Sequence, residues 1–538
     1  MSFNVLRNRA TESGLILAAA VFILVSGNGA FFSRVLDVYP LQLSNLAFLA
    51  SLAGLTVALL VFLMSLISLL FPARFVASLF LALSAPIAYV AANYGTIIDT
   101  AMIQNILETD TGEAMDLLNP FFLLRLLMFG VLPIALVWYW PVKPTTLTGR
   151  LRDNAILGSG ALMIVVLCVL TFGGRYADFF REHKALRYYA NPIFAVWSIG
   201  NFVAASISTA DSHELAAVLT AAAVPATDRH KEMVILVVGE TARADHFSLN
   251  GYERETNPLL ANESRLVSYT DVSACGTSTA VSLPCIFSPK SRADFTRNAI
   301  YDSENLLDIL RRVGVNVLWR DNNSGSKGVA TRVQYEAFNT PDVNPACDDQ
   351  ECRDIGLLSG LQDFIDSADG DIFIVLHQMG SHGPAYYRRY PPAFEKFQPA
   401  CTSSDLSKCD DTEIRNAYDN TILYTDYFLS EVIALLKRNT PAYETTMLYI
   451  GDHGESLGEN GIYLHGLPYW MAPVEQTRVP LILWSAPTSD IDILSAAARK
   501  DMPHTHDSIF NSLLLTFEVD ETLPDMPQAL YKVIDDNG

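Results

Sequence analysis

The residues able to do chemistry in this chain sit at the ends of short apolar runs. Glu240 follows Met233 to Val238 in VVGETAR, and Asp452 and His453 follow Thr446 to Ile450 in GDHGES. Two carboxylates and an imidazole make a mixed oxygen and nitrogen set suited to zinc. An Asp-His pair in a loop is also ordinary turn composition. His382 and His465 stand in neighbouring polar stretches as further ligands or substrate contacts, and His377 closes the apolar run Ile372 to Leu376.

The nucleophile candidate lies in CGTSTAVSLPC, between Cys275 and Cys285. A bridge between those ends would pin Thr279 at the start of a short helix, where a phosphate is electrostatically favoured. A free threonine is a poor nucleophile, and metal coordination would favour its alkoxide. Thr277, Ser278 and Ser282 are rivals by composition, and a disulfide-closed surface loop is the plainer reading. Lys327, in NNSGSKGV, has the charge to neutralise a phosphoryl oxygen or simply to be solvated.

Seven cysteines are present. Cys168 lies in an apolar run, and the other six form close pairs: Cys275 with Cys285, Cys347 with Cys352, Cys401 with Cys409. Six cysteines allow fifteen connectivities. Local pairing is the simplest, and it requires an oxidising compartment. None of the pairs has the CxxC spacing of a structural zinc site.

These residues need elements to hold them. Apolar runs at Met233–Val238, Val315–Trp319, Ile372–Leu376 and Thr446–Ile450 alternate with helical patterns such as Asn305–Gly314 and Ile414–Arg438. That alternation predicts an α/β domain with a mainly parallel sheet, whose site forms outside the carboxyl ends of the strands. The first third is different. Apolar stretches at about Ser13–Phe32, Asn45–Phe71, Phe75–Tyr94, Phe121–Trp140 and Ala155–Phe172 are each about long enough to cross a bilayer. Basic residues Arg7, Arg9, Arg74, Lys143, Arg150 and Arg152 fall on one side of these spans, with Arg34 the clear exception. The positive-inside rule then puts the N-terminus in the cytoplasm and everything after Gly174 outside, consistent with the paired cysteines.

The expected organisation is a five-helix transmembrane domain over 1–174 with an amphipathic outer loop at 96–119, a bridging region at 175–230, and an outer catalytic domain at 231–538. In the loop, Asn105, Thr109 and Glu113 are spaced i, i+4, i+8 and would share one face of a helix. They could hold a lipid headgroup amine, or be a solvated face. The formal charge of −21 argues against nucleic acid as a partner, because phosphate binding needs a basic face.

Taken together, VVGETAR, CGTSTAVSLPCIFS, WRDNNSGSKGV, HQMGSHGPAYYRRYP, YDNTILYTD and GDHGESLGENGIYLHG resemble the phosphoethanolamine transferases that modify lipopolysaccharide. Those include the lipid A and mobile colistin-resistance enzymes. The resemblance covers nearly the whole chain. It implies a multi-pass α-helical membrane domain in the bacterial inner membrane and a periplasmic domain of alkaline phosphatase/sulfatase type. It also implies zinc bound by Glu240, Thr279, Asp452 and His453, with Thr279 the nucleophile. His382 and His465 would hold phosphoethanolamine or a second zinc. Lys327, His377, Asn105, Thr109 and Glu113 would be substrate contacts.

The implied donor is phosphatidylethanolamine and the implied acceptor lipid A, handled by a monomer among membrane lipids, with resistance to polymyxin and colistin as the outcome. Core sugars, Kdo and glucans are alternative acceptors. Some relatives carry cysteines around Lys327, where this chain has Ser324 and Ser326, so that loop is less constrained. A lipoteichoic-acid-type glycerol-phosphate transferase is the nearest rival, disfavoured by the cysteine pairs and the Asn105 stripe. A sulfatase is disfavoured because neither Cys275 nor Cys285 opens a CxPxR sequence. A non-catalytic lipid sensor is disfavoured by the full metal set.

Overall fold

A computed structural model describes residues 10–538, apart from 110, 144, 209–214, 225–229, 297–298, 349–350, 441, 522, 524–526 and 535–538, and apart from the side chains of 111–113, 178 and 205–208. The chain forms two compact units. One comprises residues 1–103 and 118–205, the other 104–117 and 206–538.

The first unit is helical. Helices α1 (Glu12–Gly27), α2 (Gly29–Val38), α3 (Leu43–Ile67) and α4 (Ala73–Asn93) precede α5 (Thr100–Glu108) and α6 (Thr111–Leu117), which fall mostly or wholly in the other unit. Then follow α7 (Pro120–Leu126), a π turn (Leu127–Val131), α8 (Leu132–Tyr139), α9 (Leu147–Glu182) and α10 (Ile193–Ser208). Among the described residues, four stretches are long and apolar enough to cross a membrane: Leu43–Ile67, Ala73–Asn93, Pro120–Tyr139 and Leu147–Ala177. The pair α1 and α2, bent by 62°, makes a fifth if counted as one span. Many of their large apolar side chains face outward, such as Leu66, Val25 and Met163, as a lipid solvent demands.

The first expected span is therefore broken rather than straight. Gly27, Asn28 and Gly29 are poor helix formers, and a polar clasp stabilises the bend. Asn28 Nδ2 donates to Ile23 O (3.1 Å) and Asn191 O (2.8 Å), and its Oδ1 accepts the Asn191 N–H (2.9 Å). Asn191 Nδ2 donates in turn to Gly27 O and Ser84 O, each at 2.9 Å. Both asparagines are buried. Replacing Asn191 by Ala strands several buried partners, so we expect a loss of about 1–2 kcal/mol. Thermal unfolding in detergent micelles would read it, and an unchanged midpoint would show that the clasp contributes nothing.

The stripe Asn105, Thr109, Glu113 does not lie on one helix. The backbone breaks between α5 and α6, with Thr109 outside both. Thr109 closes the turn, its N–H and Oγ1 both bonding Asn105 O (2.8 and 2.7 Å). The following Asp110-Thr111-Gly112 has low helix propensity. The Glu113 side chain lies outside the described residues.

The second unit is built on a seven-stranded sheet. Up to residue 485 the strands of this unit, including two-residue strands outside that sheet, are β1 (Glu232–Gly239), β2 (Leu266–Tyr269), β3 (Val272–Ser273), β4 (Asn316–Asp321), β5 (Gln334–Ala337), β6 (Ile372–His377), β7 (Glu444–Gly451), β8 (Ser456–Leu457), β9 (Tyr463–Leu464) and β10 (Leu481–Ser485). The sheet order is β2-β10-β7-β1-β6-β4-β5. Strand β10 runs antiparallel to both its neighbours, and the other pairs are parallel. Strand β1 is buried along its whole length. Val234, Leu236 and Val238 enter one core with Leu283, Leu307 and Phe510, while Met233, Ile235 and Val237 enter another with Tyr418, Phe428 and Leu436. Helices covering both faces explain why β1 reads as a continuous apolar run rather than an alternating one.

Register places the chemistry. Gly239 pairs with Gly451, Val238 with His377, and His377 with Asp321. Four neighbouring parallel strands thus end together, delivering Glu240, Asp452, His377 and Asp321 to one edge of the sheet.

Candidate active site

Glu240 and Asp452 leave adjacent strands and are fully buried. One ligand atom each from Glu240, Asp452 and His453 lies within 4.8 Å of the others. The loop backbone aims them. Asp452 Oδ1 accepts the N–H groups of His453 (2.7 Å) and Thr241 (3.1 Å). His453 Nδ1 bonds Gly454 O at 3.0 Å. A carbonyl can only accept, so the proton sits on Nδ1 and the Nε2 lone pair is free for a metal. That Nε2 lies 3.4 Å from Glu240 Oε1 and 3.3 Å from Asp452 Oδ2. Neither of those oxygens has a hydrogen-bond partner among the described residues.

Orphaned carboxylate oxygens facing a bare imidazole nitrogen fit a divalent cation. Burial, then the neighbouring Asp452, raises the Glu240 carboxyl above its usual range. Burial pushes Asp452 up to about 6 and His453 down to about 4.

Thr279 is the first residue of an eight-residue helix, α11 (Thr279–Ile286). Its Oγ1 donates to Glu240 Oε2 at 3.0 Å and lies 3.3 Å from His453 Nε2. Two of its three rivals have structural partners instead. Thr277 Oγ1 donates to Leu467 O (2.6 Å), and Ser282 Oγ accepts the Gly276 N–H (2.9 Å). Disulfides join Cys275 to Cys285, Cys347 to Cys352 and Cys401 to Cys409. The first ties both ends of the nucleophile loop.

A second tie is His506, which the sequence did not single out. Its Nδ1 accepts the Cys275 N–H (3.1 Å), and its Nε2 bonds Gly451 O (2.9 Å). The nucleophile loop is thereby bolted to the strand end before Asp452. Burial holds the imidazole neutral, its pKa down to about 3. Below the ordinary value near 6.5 the unfolded chain takes up a proton that the folded chain refuses, so stability falls as pH falls. We expect His506 to account for about 2 kcal/mol lost between pH 7 and pH 5, at about 1.4 kcal/mol per pH unit below 6.5. The His506→Gln protein, less stable at pH 7, should show a shallower slope in melting experiments; an identical slope would refute the assignment.

Around this centre lies a ring of histidines. His465 Nδ1 bonds Glu455 Oε2 (2.8 Å), whose other oxygen accepts the Tyr386 hydroxyl (2.7 Å). The His465 ring is 4.4 Å from that of His453 and 5.5 Å from that of His382. Burial, then His465 nearby, holds His382 well below the ordinary histidine range. His377 Nδ1 bonds Asp321 Oδ2 (3.0 Å), which also accepts the Trp319 indole N–H (2.8 Å). The His377 Nε2 is buried with no hydrogen-bond partner among the described residues. Burial opposes its charged form, but Asp321 outweighs this and raises it.

Asn323, another residue the sequence did not single out, donates to Glu240 Oε2 (2.9 Å) and to Gln378 O (2.8 Å). Gly380 has φ +54°, and an added Cβ would meet the Glu240 backbone at 2.8 Å, so a side chain there would displace a ligand residue. Lys327 Nζ donates to Ser324 Oγ (2.8 Å), Ser324 O (3.0 Å) and Glu108 O (3.1 Å). Glu240, Thr279, Asp452, His453, His377, His382 and His465 thus gather at one centre. Lys327 stands on its wall, while the Asn105 carbonyl serves the Thr109 turn.

Residues 232–519 match the sulfatase family, and residues 56–207 match the family described as phosphoethanolamine transferase EptA/EptB. An apolar helical unit joined to a sulfatase-like domain, with a buried threonine beside a carboxylate and histidine cluster that could hold a metal, defines the class: a membrane-anchored group-transfer enzyme. Phosphatidylethanolamine transferase Mcr-1 of Escherichia coli is 41% identical over 517 residues, covering 94% of each chain. Phosphoethanolamine transferase EptA of Escherichia coli K12 is 40% identical, covering 87% of this chain and 86% of its own. The solved integral membrane lipooligosaccharide phosphoethanolamine transferase A of Neisseria meningitidis superposes with a TM-score of 0.89 at 32% identity, covering 95% and 96%. The chain belongs to the phosphoethanolamine transferase family.

Proposed function

We infer that this enzyme moves phosphoethanolamine from phosphatidylethanolamine to lipid A through a covalent Thr279 intermediate, at a site holding one zinc. The observation that carries this reading is Thr279 Oγ1 set 3.0 Å from Glu240 and 3.3 Å from His453 at a helix start. The apolar helices embed the chain in the bacterial inner membrane with the catalytic unit in the periplasm, where both lipids are within reach. Glu240, Asp452, His453 and Thr279 would hold the zinc, which when bound lowers the cost of the threonine alkoxide and polarises phosphoryl oxygens.

In the first half-reaction Thr279 Oγ attacks phosphorus, the bond to the glycerol oxygen breaks, and diacylglycerol leaves. The hydroxyl proton passes to Glu240 Oε2, which already accepts it as a hydrogen bond. His382 and His465, both depressed by burial, can relay a proton to the leaving oxygen and hold the headgroup or a second zinc. His377, fixed by Asp321, would be a substrate contact through its other ring nitrogen. In the second half an acceptor phosphate of lipid A attacks the same phosphorus and Thr279 leaves. Covering a lipid A phosphate with an amine reduces its negative charge and its attraction for polymyxin and colistin. One chain carries every group named, so a monomer suffices for the reaction.

The acceptor is tested by mass spectrometry of lipid A from cells expressing the chain. A mass gain of one phosphoethanolamine on lipid A, absent in cells unable to make phosphatidylethanolamine, is the expected result. Unmodified lipid A in the presence of folded, metal-loaded enzyme would redirect the search to core sugars, Kdo or glucans.

A further inference from the structure

The segment 104–117 lies between two membrane-spanning helices in sequence but belongs to the catalytic unit. Two cationic holds account for this. At one end Lys327 Nζ donates to Glu108 O, at the close of α5. At the other, the Asp116 carboxylate on α6 is gripped by two arginines, Arg388 at Oδ1 and Arg389 at Oδ2, the latter at 2.7 Å. Asp116 is buried although it sits in a chain connection, and burial of a lone carboxylate would be costly. Thr109 and, in sequence, Glu113 fall between the two holds.

Arg389 does more than pair with Asp116. It is buried, and each branch of its guanidinium has a different acceptor. Nη2 meets Asp116, Nη1 meets Glu351, and Nε donates to the backbone carbonyl of His382 at 2.7 Å. Glu351 is itself placed by the Cys347–Cys352 bridge that flanks it and by its N–H bond to Asp348 Oδ1 (2.8 Å). The other hold also reaches the centre. Lys327 is fixed to Ser324, and Ser324 follows Asn323, which donates to Glu240. A single planar fork thus connects the docked segment to an active-site histidine, a geometry a lysine cannot reproduce.

We propose that Asp116 and Arg389 are positioning residues for the first half-reaction, setting the seat of segment 104–117 and the place of His382 together. Seating the segment pulls on Nη2 of a rigid group whose Nε holds the His382 backbone. The histidine therefore sits in its reacting position only while the segment is docked. This rests on the transfer reading above, and it adds two residues that touch neither metal nor phosphorus.

The test follows Thr279 adduct formation over time in the full-length, zinc-loaded enzyme with phosphatidylethanolamine in mixed micelles. In the otherwise wild-type chain, Asp116→Asn is expected to slow adduct formation about 10-fold with zinc content unchanged, in the range reported for partners that orient a reacting group. In a His382→Ala background the same change should cost less than about twofold, because coupled residues do not add. Arg389→Lys, which keeps the buried charge, is the second variant and should show the same pattern. Equal slowing in both backgrounds would make the pair a purely structural strut, and no slowing in either would make it irrelevant; each outcome overturns the proposal. If the wild-type chain itself formed no adduct, the transfer reading would be the one to fail.

Discussion

Thr279→Ala should abolish adduct formation and reduce phosphoethanolamine transfer by on the order of 10⁴-fold or more, while the protein remains folded. The magnitude follows from losing the attacking atom itself, since remaining groups then supply binding and charge stabilisation alone. Folding should survive because alanine is well accepted at the first position of α11. Loss of the hydroxyl also leaves no buried acceptor stranded: Glu240 Oε2 keeps its bond from Asn323. The melting midpoint is therefore expected to change by less than about 1 kcal/mol of stability. Thr279→Ser, which keeps the oxygen, should retain measurable turnover. Peptide mass spectrometry after incubation with phosphatidylethanolamine reads the chemistry directly. An adduct still present in the Thr279→Ala protein would place the nucleophile elsewhere.

Glu240→Gln should have opposite effects on stability with and without metal. In the metal-free chain the Glu240 and Asp452 carboxyls share a buried site; burial raises both, and Asp452 raises Glu240 further. A carboxyl whose folded pKa is raised contributes stability below its unfolded value that is lost as pH rises through the folded value. For Asp452 that loss is complete above about 6. Removing the Glu240 charge relieves the repulsion, so the metal-free variant should melt higher than the metal-free wild type at pH 7. With metal the sign reverses, because a ligand charge is missing. Zinc affinity should fall by at least about 100-fold, beyond the cost typical of outer partners, and transfer should fall with it. Melting curves with chelator and with zinc would show the crossing. A variant that melts lower in both conditions would mean that Glu240 is a hydrogen-bonding strut rather than a metal ligand.

Much of the scaffold could be read along the chain because burial on both faces leaves a local signature. The runs ending at Val238, Trp319, Leu376 and Ile450 became β1, β4, β6 and β7, and Glu240, Asp452 and His453 were visible as polar residues stopping such runs. Strands β2, β5 and β10 were not singled out. Strand β5 is an edge strand with mostly exposed or half-buried residues, so it carries little apolar pattern. Strand β2 is only four residues long and half-buried. Strand β10 is as apolar as the others, yet it enters the sheet antiparallel, outside the alternating strand-helix rhythm.

The sequence by itself determined the two-part architecture, the apolar spans, the cysteine pairs and the short set of residues with the right chemistry, because each depends on composition or on neighbours a few positions away. Only the tertiary structure decided which strands lie side by side. That register brings Glu240, Asp452, His377 and Asp321 to one edge from positions far apart in the chain. It also decided the partners that aim them: Asn323 on Glu240, Asp321 on His377, Glu455 on His465, and Arg389 between Asp116 and His382. Such partners are ordinary polar residues in ordinary loops, and nothing local marks them. The break after α5 belongs to the same group, since spacing alone predicts a continuous helix face whereas α5 ends at Glu108 and α6 starts at Thr111. Hydrophobic periodicity is a short-range property of the chain, whereas hydrogen-bond geometry between distant loops exists only once the sheet has set their separation.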